Sequence, residues 1–264
     1  MSTTPKLVQL ERVSMRYGRG KDAVLALDAI NMDIAQGGFA AVVGPSGCGK
    51  STLMKILSGL EPISEGLAIV EGKEVGGPLK SVGMAFQASN LLPWRTTREN
   101  VMLPLEIVSP HKQRLRKHRA EYLKKVDTLL ERVGLGGFGD KYPWELSGGM
   151  QQRASICRAL IHEPEILLLD EPFGALDAFT REDLWCTLRD LHAEQGVTIM
   201  LVTHDLREAS FLADTVYVFS PRPGRIVLRH EITFPRPRDL SLTYTSEFAE
   251  TVHLLRNYIH QKDV

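Results

Sequence analysis

Nine residues, Gly44-Pro45-Ser46-Gly47-Cys48-Gly49-Lys50-Ser51-Thr52, carry the spacing G-x-x-x-x-G-K-[ST]. An apolar strand, Phe39 to Val43, runs into them, and a helix-forming stretch, Ser51 to Leu60, runs out. That strand, loop and helix order is the context in which this spacing binds phosphate, the P-loop. The glycines let successive N–H groups turn inward around anionic oxygens, and the helix N-terminus adds the positive end of its dipole. Lys50 is placed to reach β- and γ-phosphates, and the Ser51 hydroxyl to ligate Mg²⁺.

A second run, Leu146-Ser147-Gly148-Gly149-Met150-Gln151-Gln152-Arg153, opens another helix. Ser147 is a good N-cap, and Gly148 and Gly149 leave backbone N–H groups uncovered. This is a second anion site at a helix end. One nucleotide does not need two such sites on one chain. Two chains facing head-to-tail would use both. Taken alone, the segment is equally compatible with an ordinary capped helix.

With those residues in place, the chain resembles the ABC-transporter ATPase family. The second run is similar to the family's LSGGQ signature, with Met150 where the family name has Gln. Glu165 to Pro172 resembles the Walker B strand, with Asp170 and the catalytic glutamate Glu171 at its end. Gly174-Ala175-Leu176-Asp177 resembles the D-loop, Gln87 the Q-loop glutamine, His204 the switch histidine, and Tyr17 the aromatic that stacks on adenine. The match runs from about residue 7 to 230.

The resemblance implies a role for each residue. Lys50, Ser51 and Thr52 would hold the phosphates of ATP and its Mg²⁺. Asp170 would face the metal, and Gln87 would touch metal and water. Glu171 would polarise the attacking water, and His204 would help hold it in line. Ser147 and Gly149 would reach the γ-phosphate bound to the opposite chain, and Asp177 would line the dimer interface. Stacking by Tyr17 tolerates any purine, so GTP is not excluded.

These groups need elements to position them. Val8, Leu10 and Val13 begin a strand pattern that resumes over Ala29 to Ile34, with a hairpin turn across Gly18 to Asp22. Ala68 to Val70 and Val82 to Phe86 read as short strands. Residues 88 to about 160 read as mostly helical, with a stripe through Leu115, Tyr122, Val126, Leu129 and Val133. Strand and helix then alternate over 165–170, 180–195, 198–203 and 206–212, as a parallel βαβ layout requires. Thr215 to Phe219 and Arg225 to His230 close the domain around the Arg222-Pro223-Gly224 turn. Phe248, Val252, Leu255 and Ile259 mark the apolar face of one helix in the tail. The expected fold is α/β: a P-loop NTPase core with a mixed or parallel sheet flanked by helices, an antiparallel β subdomain, and an inserted helical subdomain near 88–160. The ATPase domain is expected over 1–240, with a helical tail over 241–264.

Composition narrows the function class. The chain has 264 residues, enough for one large domain or a domain with a subdomain. Thirty-two basic residues balance 32 acidic ones, which disfavours a nucleic-acid partner. No apolar run approaches the roughly 20 residues of a membrane helix, and Met1 to Lys6 lack a signal peptide's apolar core. The three cysteines, at 48, 157 and 186, have no metal spacing and suit a reducing compartment. Cys48 is a candidate for alkylation, while Cys157 and Cys186 fall on helical patterns that suit the core. The expectation is a peripheral protein at the cytoplasmic face of the inner (plasma) membrane.

Asn90 to Val101, after Gln87, combine aromatic, proline and charged residues. In the family this region receives a short helix of a separate permease. The nearby basic run, Lys112, Arg114, Arg116, Lys117 and Arg119, reads as a solvated helix face or one turned toward anionic headgroups. Leu91 to Thr96 and Ser220 to Arg225 look most similar to the importer subgroup for nitrate, sulfonates and taurine, with relatives for bicarbonate. That implies an ATP-driven dimer, with itself or a homologous ATPase, permease subunits, and an extracytoplasmic solute-binding protein. An export or lipid-transport ATPase shares every catalytic motif. A soluble ATPase acting on DNA or ribosomes fits less well, because the chain has neither a second such domain nor a long coiled-coil insertion.

Overall fold

In the computed structural model, which describes residues 5–18, 20, 23–174 and 176–260, strands β1 (Lys6–Tyr17) and β2 (Val24–Ala35) pair antiparallel. Val8, Leu10 and Val13 are buried, and a register shift between the last two keeps Val13 inward. Of the hairpin turn expected between the strands, Arg19, Lys21 and Asp22 lie outside the described residues. Strand β3 (Phe39–Val43) is buried at all five positions and leads through the P-loop into helix α1 (Lys50–Leu57). Next come β4 (Glu65–Val70) and the two-residue β5 (Lys73–Glu74), which complete an antiparallel sheet in the order β2-β1-β4-β5. No sequence pattern announced β5, because two exposed residues leave no hydrophobic period to read.

Contacts group the chain into two units. One runs from Lys80 to Gln195, and the other holds the residues before and after it. The unit from Lys80 to Gln195 begins with β6 (Val82–Ala85). Four helices follow: α2 (Thr97–Ile107), α3 (His111–Leu115), α4 (Arg119–Arg132) and α5 (Gly148–Leu160). Strand β7 (Ile166–Asp170) then pairs parallel with β6, and α6 (Ala178–Gln195) ends the unit. The helical block thus shares its unit with β6, β7 and α6. The stripe read through Leu115 belongs to two helices rather than one. Val126, Leu129 and Val133 are buried along α4 and its end, while Leu115 sits on α3. The interruption falls within the basic run. Cations suit the C-terminal turn of α3, where Lys112 and Arg114 lie, and like charges one turn apart oppose a continuous helix.

Helix α2 is fixed at its start by a capping box between Thr96 and Glu99. One turn in, Asn100 is fully buried yet fully used. Its amide donates to the carbonyls of Leu92 (3.1 Å), Arg95 (3.0 Å) and Thr96 (3.0 Å), and its oxygen accepts from Leu92 N–H (2.7 Å). A single side chain therefore shapes the loop over 90–96.

Back in the first unit, β8 (Thr198–Thr203) is buried throughout and leads to α7 (Leu206–Leu212). After it come β9 (Thr215–Phe219), β10 (Ile226–Glu231) and the C-terminal helix α8 (Ser246–His260). Strand β3 lies between β8 and β9, parallel to both, and β10 returns antiparallel to β9. The register pairs Val43 with Thr203, so the P-loop and His204 leave neighbouring strand ends on the same sheet edge. Helix α8 buries Phe248 and Leu255 of its expected face. The buried Arg238 guanidinium donates to the carbonyls of Phe211 (2.9 Å) and Ala213 (2.7 Å) at the end of α7. Burial lowers its pKa to about 10.

Replacing Asn100 by Ala takes the side-chain partner from Leu92 N–H and Arg95 O and leaves Leu92 O and Thr96 O with one backbone donor each. The expected cost is about 2–4 kcal/mol, read as a lower urea midpoint at unchanged m-value.

Candidate nucleotide site

The first unit holds the P-loop, Tyr17 and His204. Lys50 is 5% exposed, so its ammonium needs partners. It donates to the carbonyl oxygens of Gly44 and Pro45, both at 2.9 Å. The loop therefore curls around its own lysine and presents that charge where phosphate oxygens would enter. Gly49 adopts φ +106° just before α1, and a Cβ there would stand 2.6 Å from Leu27 Cδ2 and 2.9 Å from the Ala26 carbonyl oxygen. Only glycine fits this seat on β2. The Tyr17 hydroxyl lies 3.5 Å from Thr52 Oγ1, which brings the candidate base-stacking ring beside the loop.

His204 is exposed in the turn between β8 and α7. Both sides of that turn are fixed. Asp205 caps α7 by accepting from Arg207 N–H (2.8 Å), and Asp205 N–H donates to Thr203 Oγ1 (3.0 Å).

Cys48 is buried inside the loop. Burial pushes its thiol above the usual range, against the pull of the Lys50 charge. Cys157 is buried in α5 and pushed up further, whereas Cys186 is only half-buried.

The second unit holds Gln87, the signature residues, Asp170, Glu171 and the turn that follows. Asp170 ends β7 half-buried, and Glu171 takes φ +46°. That left-handed step is unfavourable for a residue with a Cβ, and it falls directly after the strand, at the second of two adjacent carboxylates. Glu171 O accepts from Gly174 N–H at 3.1 Å. Gln87 is exposed and close by, its Nε2 standing 3.2 Å from where a Cβ on Gly174 would lie. The amide read from Phe86-Gln87-Ala88-Ser89 thus lies against the turn that begins with Glu171.

Ser147 Oγ accepts from Met150 N–H (3.3 Å), so α5 is capped as expected, with Ser147 and Gly148 exposed. Gly149 is buried against α6, where a Cβ would meet Thr180 Cγ2 at 2.5 Å. Asp177 has a local use that its motif does not disclose. Its Oδ1 accepts from Thr180 N–H (3.1 Å) at the start of α6, and hydrogen bonding from Thr180 holds the carboxyl below its usual range. Ala175 lies outside the described residues.

Sequence reading missed the groups that hold the Gln87 loop. Gln152 Nε2 donates to the Phe86 carbonyl (2.9 Å). Arg158 donates to the carbonyls of Ser89 and Asn90, both at 2.7 Å. Gln151 accepts from Ser89 Oγ (3.1 Å) and donates to Pro143 O (2.9 Å), ahead of the capped turn. All three lie on α5. Polar residues on an otherwise buried helix were the available signal, but sequence alone does not say which carbonyls they meet.

Ser51, Gln87 and Asp170 offer hydroxyl, amide and carboxylate oxygens. These are hard donors of the kind that, with phosphate oxygens and water, suit Mg²⁺.

At pH 8, iodoacetamide should label Cys186 first, Cys48 more slowly and Cys157 last, because the thiolate is the reacting form and burial suppresses it. Peptide mass spectrometry over time reads the order.

The sequence profile described as ABC transporter matches residues 27–174. The chain is 45% identical, over 84% of each sequence, to the "Aliphatic sulfonates import ATP-binding protein SsuB" of Bacillus licheniformis. It is 44% identical to an uncharacterized ABC transporter ATP-binding protein of Methanocaldococcus jannaschii, over 88% of this chain and 84% of that one. Among solved structures, a dimeric ATP-binding cassette in a post-hydrolysis state with ADP and Pi aligns with TM-score 0.68 and 33% identity, over 86% of this chain and all of that one. The cbiO1 protein of Clostridium perfringens, part of the ABC transporter complex cbiONQ, aligns with TM-score 0.75 and 26% identity, over 94% and 95%.

Proposed function

Because this chain belongs to the ABC transporter family of ATP-binding proteins, an ATP hydrolase coupled to transport, we propose that it powers an importer of a small anionic solute of the nitrate, sulfonate, taurine or bicarbonate kind. The observation that carries the ATPase part of the reading is the pairing, on one chain, of a P-loop closed around Lys50 with a second capped glycine helix start at Ser147. The similarity to a sulfonate-import ATP-binding protein supports the solute class.

Each residue then has a task. Gly44 to Thr52 wrap the phosphates with N–H groups, and Lys50 exchanges its loop carbonyls for β- and γ-oxygens. Ser51, Gln87 and Asp170 would hold Mg²⁺, which when bound neutralises charge on those oxygens. Glu171 orients and polarises the attacking water, and His204, on the strand end beside the P-loop, keeps the γ-phosphate and that water in line. Tyr17 stacks on the base. In a head-to-tail pair, Ser147, Gly148 and Gly149 close over the nucleotide of the opposite chain, with Asp177 at the interface. The dimeric state of a similar cassette bound to ADP and Pi supports such a pair. Hydrolysis removes the phosphate that both chains share, and the pair opens.

The permease would dock on the stretch from Gln87 to Val101. Trp94 there is 71% exposed on a loop that Asn100 holds in shape, and an ordered, exposed aromatic is a suitable anchor for a short amphipathic helix. Among the described residues no helix is long and apolar enough to cross a membrane, so the spanning path would belong to that partner. An extracytoplasmic binding protein would deliver the solute. In such an assembly this chain would lie at the cytoplasmic face of the membrane.

Glu171→Gln should trap an ATP-bound dimer in gel filtration, and a monomer at saturating ATP and Mg²⁺ would count against the pair. Lys50→Ala should lower ATP turnover by about 10²- to 10³-fold or more, measured as phosphate release. Affinity purification from detergent-solubilised membranes should bring down an integral permease. Recovery of ribosomes or DNA alone would end the transport assignment.

A further inference from the structure

The turn over 220–225 joins β9 to β10 and plays no part in the chemistry above. It is built with care. Ser220 N–H donates to Arg225 O (2.9 Å), Arg225 N–H donates to Ser220 Oγ (3.0 Å), and Ser220 Oγ reaches Pro223 O (3.0 Å). The turn is also bound to the strand on which the P-loop rests. Gly224 N–H donates to Ala26 O (2.9 Å), and Asp28 N–H donates to Gly224 O (3.0 Å). A Cβ on Gly224 would lie 2.1 Å from the carbonyl oxygen of Cys48, inside the P-loop. Backbone stands directly on backbone there.

Two arginines leave this turn and meet different fates. Arg225 is held by Asp28, with its Nε at 2.9 Å and its Nη2 at 2.6 Å from Oδ2. Arg222, between Pro221 and Pro223, is exposed, and no carboxylate or carbonyl among the described residues takes its guanidinium. Its Nη2 stands 4.0 Å from where a Cβ on Gly47 would lie. An unpaired guanidinium is thus parked at the rim of an anion-binding loop, on a turn fixed to that loop's base.

We propose that Arg222 is a further nucleotide-binding residue, a second cation that draws the phosphates of the bound nucleotide onto the P-loop, with Gly224 as the positioning residue that seats its turn. The proposal rests on the nucleotide reading of the P-loop and adds a group outside the P-loop motif. A guanidinium is always charged and only weakly hydrated, so at a rim where the nucleotide remains partly in water it acts chiefly through its charge.

The test is steady-state ATP hydrolysis together with binding of a fluorescent ADP analogue, comparing the wild-type chain with Arg222→Gln, Arg222→Lys and Gly224→Ala. Arg222→Gln should raise KM for ATP and the Kd for the analogue about three- to tenfold, as expected for one partly solvated charge contact, with the loss falling on KM rather than kcat. Arg222→Lys should recover most of it, and about 0.5 M NaCl should narrow the gap to wild type. Gly224→Ala should weaken nucleotide binding and slow turnover together, because the Cys48 carbonyl must move. Wild-type KM and Kd in Arg222→Gln, or a deficit that neither lysine nor salt changes, would overturn the proposal. Failure of the nucleotide reading itself shows separately, as a wild-type chain that neither hydrolyses ATP nor binds the analogue. Arg222 is exposed, so its variants report on binding even where Gly224→Ala does not fold.

Discussion

A buried ammonium organises the nucleotide half of this protein. Lys50 is almost wholly withdrawn from water, and a charge so placed is tolerated only where hydrogen bonds replace its hydration. The P-loop supplies them from its own backbone, through Gly44 O and Pro45 O. The lysine therefore shapes the loop, and the loop in turn holds the lysine. This closed arrangement needs a firm base. Gly49 rests on Ala26 and Leu27, and Gly224 rests on Cys48, so β2 and the turn over 220–225 meet the loop at separation a side chain would not allow.

The sheet register adds the second constraint. Strand β3 runs parallel to β8, and Val43 pairs with Thr203. Two residues far apart in sequence, Gly44 and His204, consequently emerge from one edge of the sheet. Strand β7 delivers Asp170 in its own unit, and the left-handed backbone of Glu171 comes directly after the strand. The chemistry of the site thus depends on where strands stop rather than on how far they run.

The helical unit is ordered by side chains that grip carbonyls. Asn100 gathers the loop over 90–96, and Gln151, Gln152 and Arg158 gather the loop that carries Gln87. Irregular backbone on this scale needs partners for its polar groups, and here they come from two helices. Arg158 is partly desolvated, and burial lowers its pKa. A change in the shape of the loop over 86–90 therefore pulls on α5 and on the capped glycine turn at its start, which links the Gln87 segment with that turn.

Motifs whose meaning is local were legible from sequence alone. The P-loop spacing, the capped start at Ser147, the buried runs over 166–170 and 198–203, and the apolar face of α8 follow from steric, capping and period rules that act within a few residues. Family resemblance then attached the remaining motifs to one fold. The break between α3 and α4 escaped the reading because the hydrophobic stripe continues in phase across a basic run that stops the helix. Asp177 as a cap of α6, the seat of Gly224 on Cys48, and the arginine grip on the Gln87 loop were decided only by tertiary structure. Each joins a side chain or a carbonyl to a partner that chain order does not specify, and backbone hydrogen-bond partners leave no mark in residue type.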